Sequence, residues 1–234
     1  MRRLAVFLTT LVMFAGTAIW FWAAVATWAA EPVPTVPGMT QSVPGLQAPL
    51  PPAATGAKQA QPAPEWSFDP AHCSMLFFVR HIFVKIPGRF AKFTGTVRFD
   101  PDNLEGSLID VSVDMASVDT FVAKRDEDLR SPDFFDVARY PGMWFVSQRI
   151  VHKDGDQYAA EGDLTIKDVT RHIEIPFTYL GAKASPLAPD KQVAGFESHF
   201  SINMLDYHVS DGHFQKMGAM GDAVEIVLNQ ELTR

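Results

Sequence analysis

The C-terminal part of the chain, from Trp66 onward, predicts an all-β domain of about eight short antiparallel strands, a sandwich or a barrel. Three observations carry this. Apolar and polar residues alternate in short runs, as in Ile109, Val111, Val113 and Met115 against Asp110, Ser112 and Asp114. The runs are joined by hairpin-length turns, and helical periodicity is almost absent. The chain also holds 18 phenylalanines, most of them at inward-parity positions of those runs.

In chain order, the first strand is Cys73–His81, with Met75, Phe77 and Val79 on one face and Leu76 and Phe78 on the other. Ile82–Phe90 is a less regular return, broken at Pro87-Gly88. Phe93–Phe99 alternates, with Phe93, Val97 and Phe99 together, and Asp100-Pro-Asp-Asn turns the chain into the Ile109–Met115 strand. Strands over Trp144–Val151 and Gln157–Leu164 come next, separated by a Lys153-Asp-Gly-Asp turn. A tight Lys167-Asp168 hairpin leads into Thr170–Tyr179, which places Ile173, Ile175 and Phe177 on one side. Ala182–Asp190 is expected as a loop, and Gly195–Asn203 and Ala223–Leu232 as the last strands.

The stretch RDEDLRSPDFFDVARYP, Arg125 to Pro141, interrupts this pattern. Its Ser131-Pro132 pair cannot lie in a central strand and initiates a turn or short helix. It is expected to be a short helical or irregular plug closing one end of the β-structure. At least one of Phe134 and Phe135 should enter the core, while the charged residues face water. The Asp126-Glu127-Asp128 run lacks the spacing of a calcium loop and is expected to form a solvated face paired with Arg125 and Arg130.

Residues 1–30 form a leader. Leu4–Ala30 has no charged side chain and comes after Arg2 and Arg3, so it is a transmembrane or signal helix. Its length and the tryptophans at 20, 22 and 28 suit an uncleaved anchor. Ala24-Val25-Ala26 offers a cleavage site if the segment is a signal peptide. Either way, the chain after Ala30 is exported. Residues 31–64 hold nine of the 17 prolines and two charges, the composition of a disordered linker. Residues 65–234 are the globular domain. Its single cysteine, Cys73, excludes an internal disulfide. A formal net charge of −7 without a basic stripe argues against nucleic acid as a partner.

Residues 66–232 resemble the YceI-like family of lipocalin-like periplasmic proteins. The motifs that carry the resemblance run through the domain in order: Ala71-His72, Phe77-Phe-Val-Arg-His81, Gly88-Arg-Phe90, Phe93-Thr-Gly95 and Phe99-Asp100. They continue with Ser117-Val-Asp-Thr120, Arg125-Asp126, Leu129-Arg-Ser131, Asp133-Phe-Phe-Asp136, Tyr140-Pro141, Gly162-Asp-Leu-Thr-Ile166 and Val169-Thr170. The resemblance implies an eight-stranded antiparallel lipocalin-like barrel whose apolar lumen takes an isoprenoid lipid, a quinone or a polyprenyl chain. It implies no metal, no catalytic residue and no cofactor besides that ligand. The location it implies is the periplasm, tethered to the inner membrane if the leader stays. Three positions depart from the family pattern. Cys73 stands for Ser, and Asp168 stands for the hairpin Gly, where Asp tolerates a left-handed backbone. Met204 stands for an Arg, which removes a polar or charge-pairing group.

From the residues alone, the inward aromatics either line a ligand channel or fill a solid core. The resemblance implies a lumen lined by Phe77, Val79, Phe93, Val97, Phe99, Val111, Val113, Phe134, Phe135, Phe145, Ile173, Ile175 and Phe177. The expected partners are an isoprenoid lipid and the membrane through an uncleaved N-terminus, with a homodimer left open. A broad scavenger of apolar small molecules would use the same lumen. An exported enzyme would use Cys73 with His72, but Cys73 also suits a buried small apolar position. Seven histidines offer metal ligands in principle, yet there is no HExxH and no cysteine pair, and His72 and His81 are expected as strand residues bonded to loops.

Overall fold

The computed structural model describes residues 61–234. The leader at 1–30 and residues 31–60 of the expected linker lie outside the described residues. Among the described residues no helix is long and apolar enough to cross a membrane.

Eleven strand segments form one antiparallel sheet. They are β1 (Glu65–Phe68), β2 (Ser74–His81), β3 (Val84–Phe90), β4 (Phe93–Arg98), β5 (Leu108–Asp114) and β6 (Val118–Asp119), then β7 (Gly142–Asp154), β8 (Gln157–Ile166), β9 (Val169–Ala184), β10 (Gln192–Asn203) and β11 (Met220–Thr233). The first six segments are three long strands, each bent once. β1 and β2 share their neighbours, since both pair with β11 on one side, and on the other side they pair with β4 and β3. β4 and β3 pair in turn with β5 and β6. Counted this way, eight strands succeed one another around a ring. The ring closes where β1 joins Trp66 to Val97 of β4 and Phe68 to Leu232 of β11. The expected eight-stranded antiparallel barrel is therefore the fold, and closure leaves no sheet edge among these strands.

The sequence explains the alternation. In β8 the buried positions Tyr158, Ala160, Gly162, Leu164 and Ile166 recur every second residue, the strand period with one face turned inward. In β7 the inward set is Phe145 and Ser147, then Ile150, because a bulge between Ser147 and Arg149 shifts the phase. At Gly88 the ring of Phe77 lies so close that a Cβ would sit 2.2 Å from Phe77 Cζ, so any side chain there must push that ring aside.

Several expectations change. β1 was not foreseen, and residues 61–64 are packed despite their linker composition. Ala63 is buried and donates to Gly106 O at 2.9 Å, while Gln61 O accepts from Asn103 Nδ2. β9 runs on to Ala184, into the expected loop, because Ala182–Ala184 find partners in β10. In the 167–168 hairpin the left-handed residue is Lys167, with φ of 55°, and not Asp168. Lys167 Nζ donates to Phe134 O and His208 O, both at 2.7 Å, and so ties the plug and the β10–β11 connection to the hairpin. His72 lies in the turn before β2 rather than in a strand.

The plug is present, but its helix precedes the Ser-Pro pair. α1 covers Ala123–Arg130, the charged stretch itself. Its charges do not simply face water. Asp126 is buried and accepts from Thr120 N at 2.8 Å and Thr120 Oγ1 at 2.5 Å. Arg125 donates to Thr120 O, and Arg130 to Ala116 O and Val118 O. Glu127 and Asp128 pair with Lys124, not with the two arginines. The cluster fastens the helix to β6 because buried carbonyls and amides there need partners. A second short helix, α2 (His213–Lys216), packs beside the plug, with the Phe214 ring stacked on Phe134 at 6.1 Å.

Candidate functional site

Looking down the barrel from the end of β1, the lumen is first solid and then hollow. Phe99, 2% exposed, is ringed edge-on by Tyr158, Phe177, Tyr179 and Phe196 with centroids 5.1–5.6 Å apart. Edge-to-face contacts at these distances are favourable and leave no gap between rings. Trp66 closes this end, its indole N–H donating to Phe99 O at 3.0 Å. At the opposite end the plug, Phe90 and Phe77 make a second aromatic group, with Phe90 5.4 Å from Phe77 and 5.9 Å from Phe135.

Between them lies a cavity of about 160 Å³. Of the expected lumen residues, Phe93, Val97, Phe99, Val111, Val113, Phe145, Ile175 and Phe177 line it. Phe77, Val79, Phe134, Phe135 and Ile173 do not. They pack against the core at or beyond the plug end, because the plug sits across the mouth of the barrel rather than reaching down into it. The alternating inward residues of β10 and β11 supply wall that the sequence pattern did not assign: Phe196 and Phe200, then Ile226, Leu228 and Leu232. Their signal was present in the strict two-residue spacing from Val224 to Leu232, but Gln230 breaks its apolar run.

Gln230 is the polar residue of interest in this wall. It stands on the lumen face between Leu228 and Leu232, and its Nε2 donates to Ser74 O at 2.7 Å. That carbonyl fixes the orientation of the amide, and Oε1 is left buried without a hydrogen-bond partner. Ser198 also lines the cavity, but its hydroxyl is used by Pro176 O at 2.6 Å.

One stretch of the wall lacks a ladder. β1 pairs with β4 only through Glu65 and Trp66, and β2 meets β3 only from Leu76 onward. The intervening seam is filled by side chains, with Phe68 meeting Phe93 edge-on at 5.4 Å, and both rings also line the cavity.

At the turn between β1 and β2, against β11, Asp69, His72 and Glu231 bring one ligand atom each within 4.8 Å of one another. His72 Nδ1 and Asp69 Oδ2 are 2.7 Å apart, a contact that raises the imidazole from its usual range and lowers the carboxyl. Cys73 is half-buried and donates from Sγ to Glu231 O at 3.1 Å, and burial pushes its thiol up. A thiol held protonated is a poor nucleophile. At the other end of the barrel, Met204 is buried and accepts a weak hydrogen bond from Gln215 Nε2 at 3.2 Å.

The sequence and the fold are both shared with known proteins. Residues 66–232 match the model of the YceI-like domain. A UPF0312 protein of Vibrio cholerae is 36% identical over 150 residues, covering 64% of this chain and 76% of its own. Protein YceI of Escherichia coli O157:H7 is 32% identical over 161 residues, 68% of this chain and 81% of its own. Among solved structures, BcnA of Burkholderia cenocepacia superposes with a TM-score of 0.63 at 25% identity, covering 71% of this chain and 99% of that one. A polyisoprenoid-binding domain from Saccharophagus degradans has the same fold, with a TM-score of 0.52 at 14% identity over 71% of this chain and 97% of its own. With its family model matched from Trp66 to Leu232, along the whole circuit of the barrel, this chain belongs to the YceI-like family.

Proposed function

We propose that the barrel binds an isoprenoid lipid, a prenyl quinone or polyprenyl chain, with its apolar tail in the lumen. The observation that carries this reading is the apolar cavity held between the Phe99 cluster and the plug. Burial of apolar surface is enough to drive such binding, since each CH₂ removed from water contributes about 0.8 kcal/mol. A five-carbon prenyl unit then contributes roughly 4 kcal/mol before the association and ordering terms are subtracted. A cavity of about 150 Å³ lined by Leu, Ile and Phe accepts a molecule the size of benzene. The 160 Å³ present here therefore takes one such unit without rearrangement, and a longer chain needs lining rings to move. The Phe68–Phe93 contact at the seam is held by no backbone ladder, which makes it the place where they move most readily.

Support also comes from the family, and from a fold neighbour described as polyisoprenoid-binding. The Cys73 thiol, pushed up by burial and committed to a carbonyl, favours a binding role over a thiol-dependent reaction. With Arg2 and Arg3 before the apolar run, the barrel's working place on this reading is the periplasm, beside the inner membrane.

Filling the cavity tests the proposal. Val111→Trp places a larger side chain in the lumen wall, at an overpacking cost of about 1–3 kcal/mol that a folded barrel tolerates. Titration with a prenyl quinone is expected to show saturable binding to the unsubstituted protein and at least tenfold weaker binding to the variant. Equal binding by both, with folding intact by circular dichroism, would place any ligand outside the lumen.

A further inference from the structure

Six of the large apolar side chains that the fold leaves in water lie toward the plug end of the barrel. Ile82, Phe83 and Val84 form the β2–β3 tip, Phe121 and Val122 lead into α1, and Met217 comes directly after α2. Each is about half exposed or more, Phe83 reaching 89% and Phe121 66%. The first and third groups adjoin at Ile82, and the second lies farther along β3, beside Arg89. Ile82 N donates to Ala219 O at 3.1 Å, which seats the tip against the exit of α2. β6 pairs with β3 at Arg89 and Asp119, and the Arg89 guanidinium lies 5.7 Å from the Phe121 ring centroid.

The tip is not what the turn itself demands. A two-residue hairpin connection favours Asn-Gly or another glycine-containing pair. Here the connection is Ile82-Phe83, and Ile82 sits at φ of 51°, a region β-branched residues avoid. The turn thus accepts backbone strain and an exposed ring together, although a polar turn would remove both.

We propose that the β2–β3 tip, with Met217 beside it and Phe121 farther along, docks on the surface of a lipid bilayer containing anionic lipid. The tip is a narrow protruding hairpin, a shape suited to a deformable interface, where aromatic and aliphatic side chains settle between headgroups. Its charge fits as well. Along β2 and β3 there are three basic residues, Arg80, Lys85 and Arg89, and no acidic one, in a chain of net charge −7. Arg80 forms no ion pair among the described residues, and its guanidinium reaches Phe83 O at 3.4 Å, directly behind the tip. Lys85 and Arg89 pair with Glu225 and Asp119 but stay about half exposed. The proposal stands whether or not the lumen holds an isoprenoid.

Flotation with vesicles tests it. Residues 61–234 are used because the apolar run at Leu4–Ala30 would itself partition into lipid. The barrel stands alone as a folded unit, since the BcnA chain matches it over 99% of its length. On phosphatidylcholine vesicles containing phosphatidylglycerol, the domain is expected to float. Phe83→Ser should lower the partition coefficient about tenfold, the loss expected for one buried phenyl group. Leu187→Ser, equally exposed at 88% but at the other end of the barrel, should leave it unchanged. Arg80→Glu should weaken binding to the anionic vesicles, and so should added salt. Both serine substitutions are at solvent-facing positions, and near-UV circular dichroism confirms the fold. The proposal is overturned if the domain does not float, or if Phe83→Ser floats as well as the unsubstituted protein. It is equally overturned if Phe83 drives only a concentration-dependent dimer in sedimentation, without lipid binding.

Discussion

Gln230 Oε1 is an amide oxygen buried beside an apolar cavity with nothing to accept from, while its own Nε2 serves Ser74 O. An unpaired buried acceptor of this kind costs about 1–3 kcal/mol. On the isoprenoid reading, a ligand with a hydroxyl at its head fits that oxygen better than one ending in hydrocarbon. Gln230→Leu is accordingly expected to lower the affinity for a polyprenol about fivefold, the value of roughly 1 kcal/mol for one hydrogen bond, and to leave the matching hydrocarbon unaffected. Calorimetric titration of both ligands checks it. Cys73 carries a second expectation. With its thiol raised by burial, alkylation of the folded protein by iodoacetamide at neutral pH should be slower than that of free cysteine. The rate should climb only as pH passes above the usual thiol range. Gln230 was not legible as such, and for Cys73 the sequence offered a buried apolar position but not its bond to Glu231 O. Inward parity on β7 to β9 could be read because Val, Ile and Phe mark it, whereas Gln230 breaks the series it belongs to, and Cys73 depends on a carbonyl 158 positions away.

At the scale of elements, α1 shows why a charged run need not be a solvated one. The sequence located the plug and gave its aromatic pair a role in closure, and Phe134 is buried. It misplaced the helix relative to Ser131-Pro132 and sent Asp126 to water. The reason is tertiary: Thr120 presents a buried amide and hydroxyl, and the Asp126 carboxylate six residues on accepts from both. Asp126→Ala should therefore destabilise the barrel by about 1–3 kcal/mol, because the Thr120 amide would be left unpaired. For a domain of this size the melting temperature should fall about 2–4 °C per kcal/mol. Asp126→Asn, which keeps one acceptor oxygen, should lose less. A melting series of the two variants checks the order. The bends between β1 and β2, β3 and β4, and β5 and β6 were hidden for a similar cause. Each half-strand finds its own partner across the sheet, and local alternation does not record which neighbour that is.

For the molecule as a whole, the sequence supplied the strand count and the aromatic supply but left a sandwich or a barrel, a filled or a hollow interior. Closure at the Phe99 end rests on four residues of β1, Trp66 and Phe68 among them, a segment too short to stand out in the sequence. The interior proved to be both: solid around Phe99, hollow between Val111 and Leu228. A volume of 160 Å³ is small for a long isoprenoid, so the chain-binding reading requires the lumen to widen when it is filled. Native mass spectrometry of the purified protein, followed by organic extraction, tests that claim most directly. The expected result is a bound mass that extraction releases and identifies as a prenyl quinone or polyprenyl lipid, and its loss in Val111→Trp. A protein that flies at its bare mass, and takes up no prenyl lipid when offered one, would contradict it.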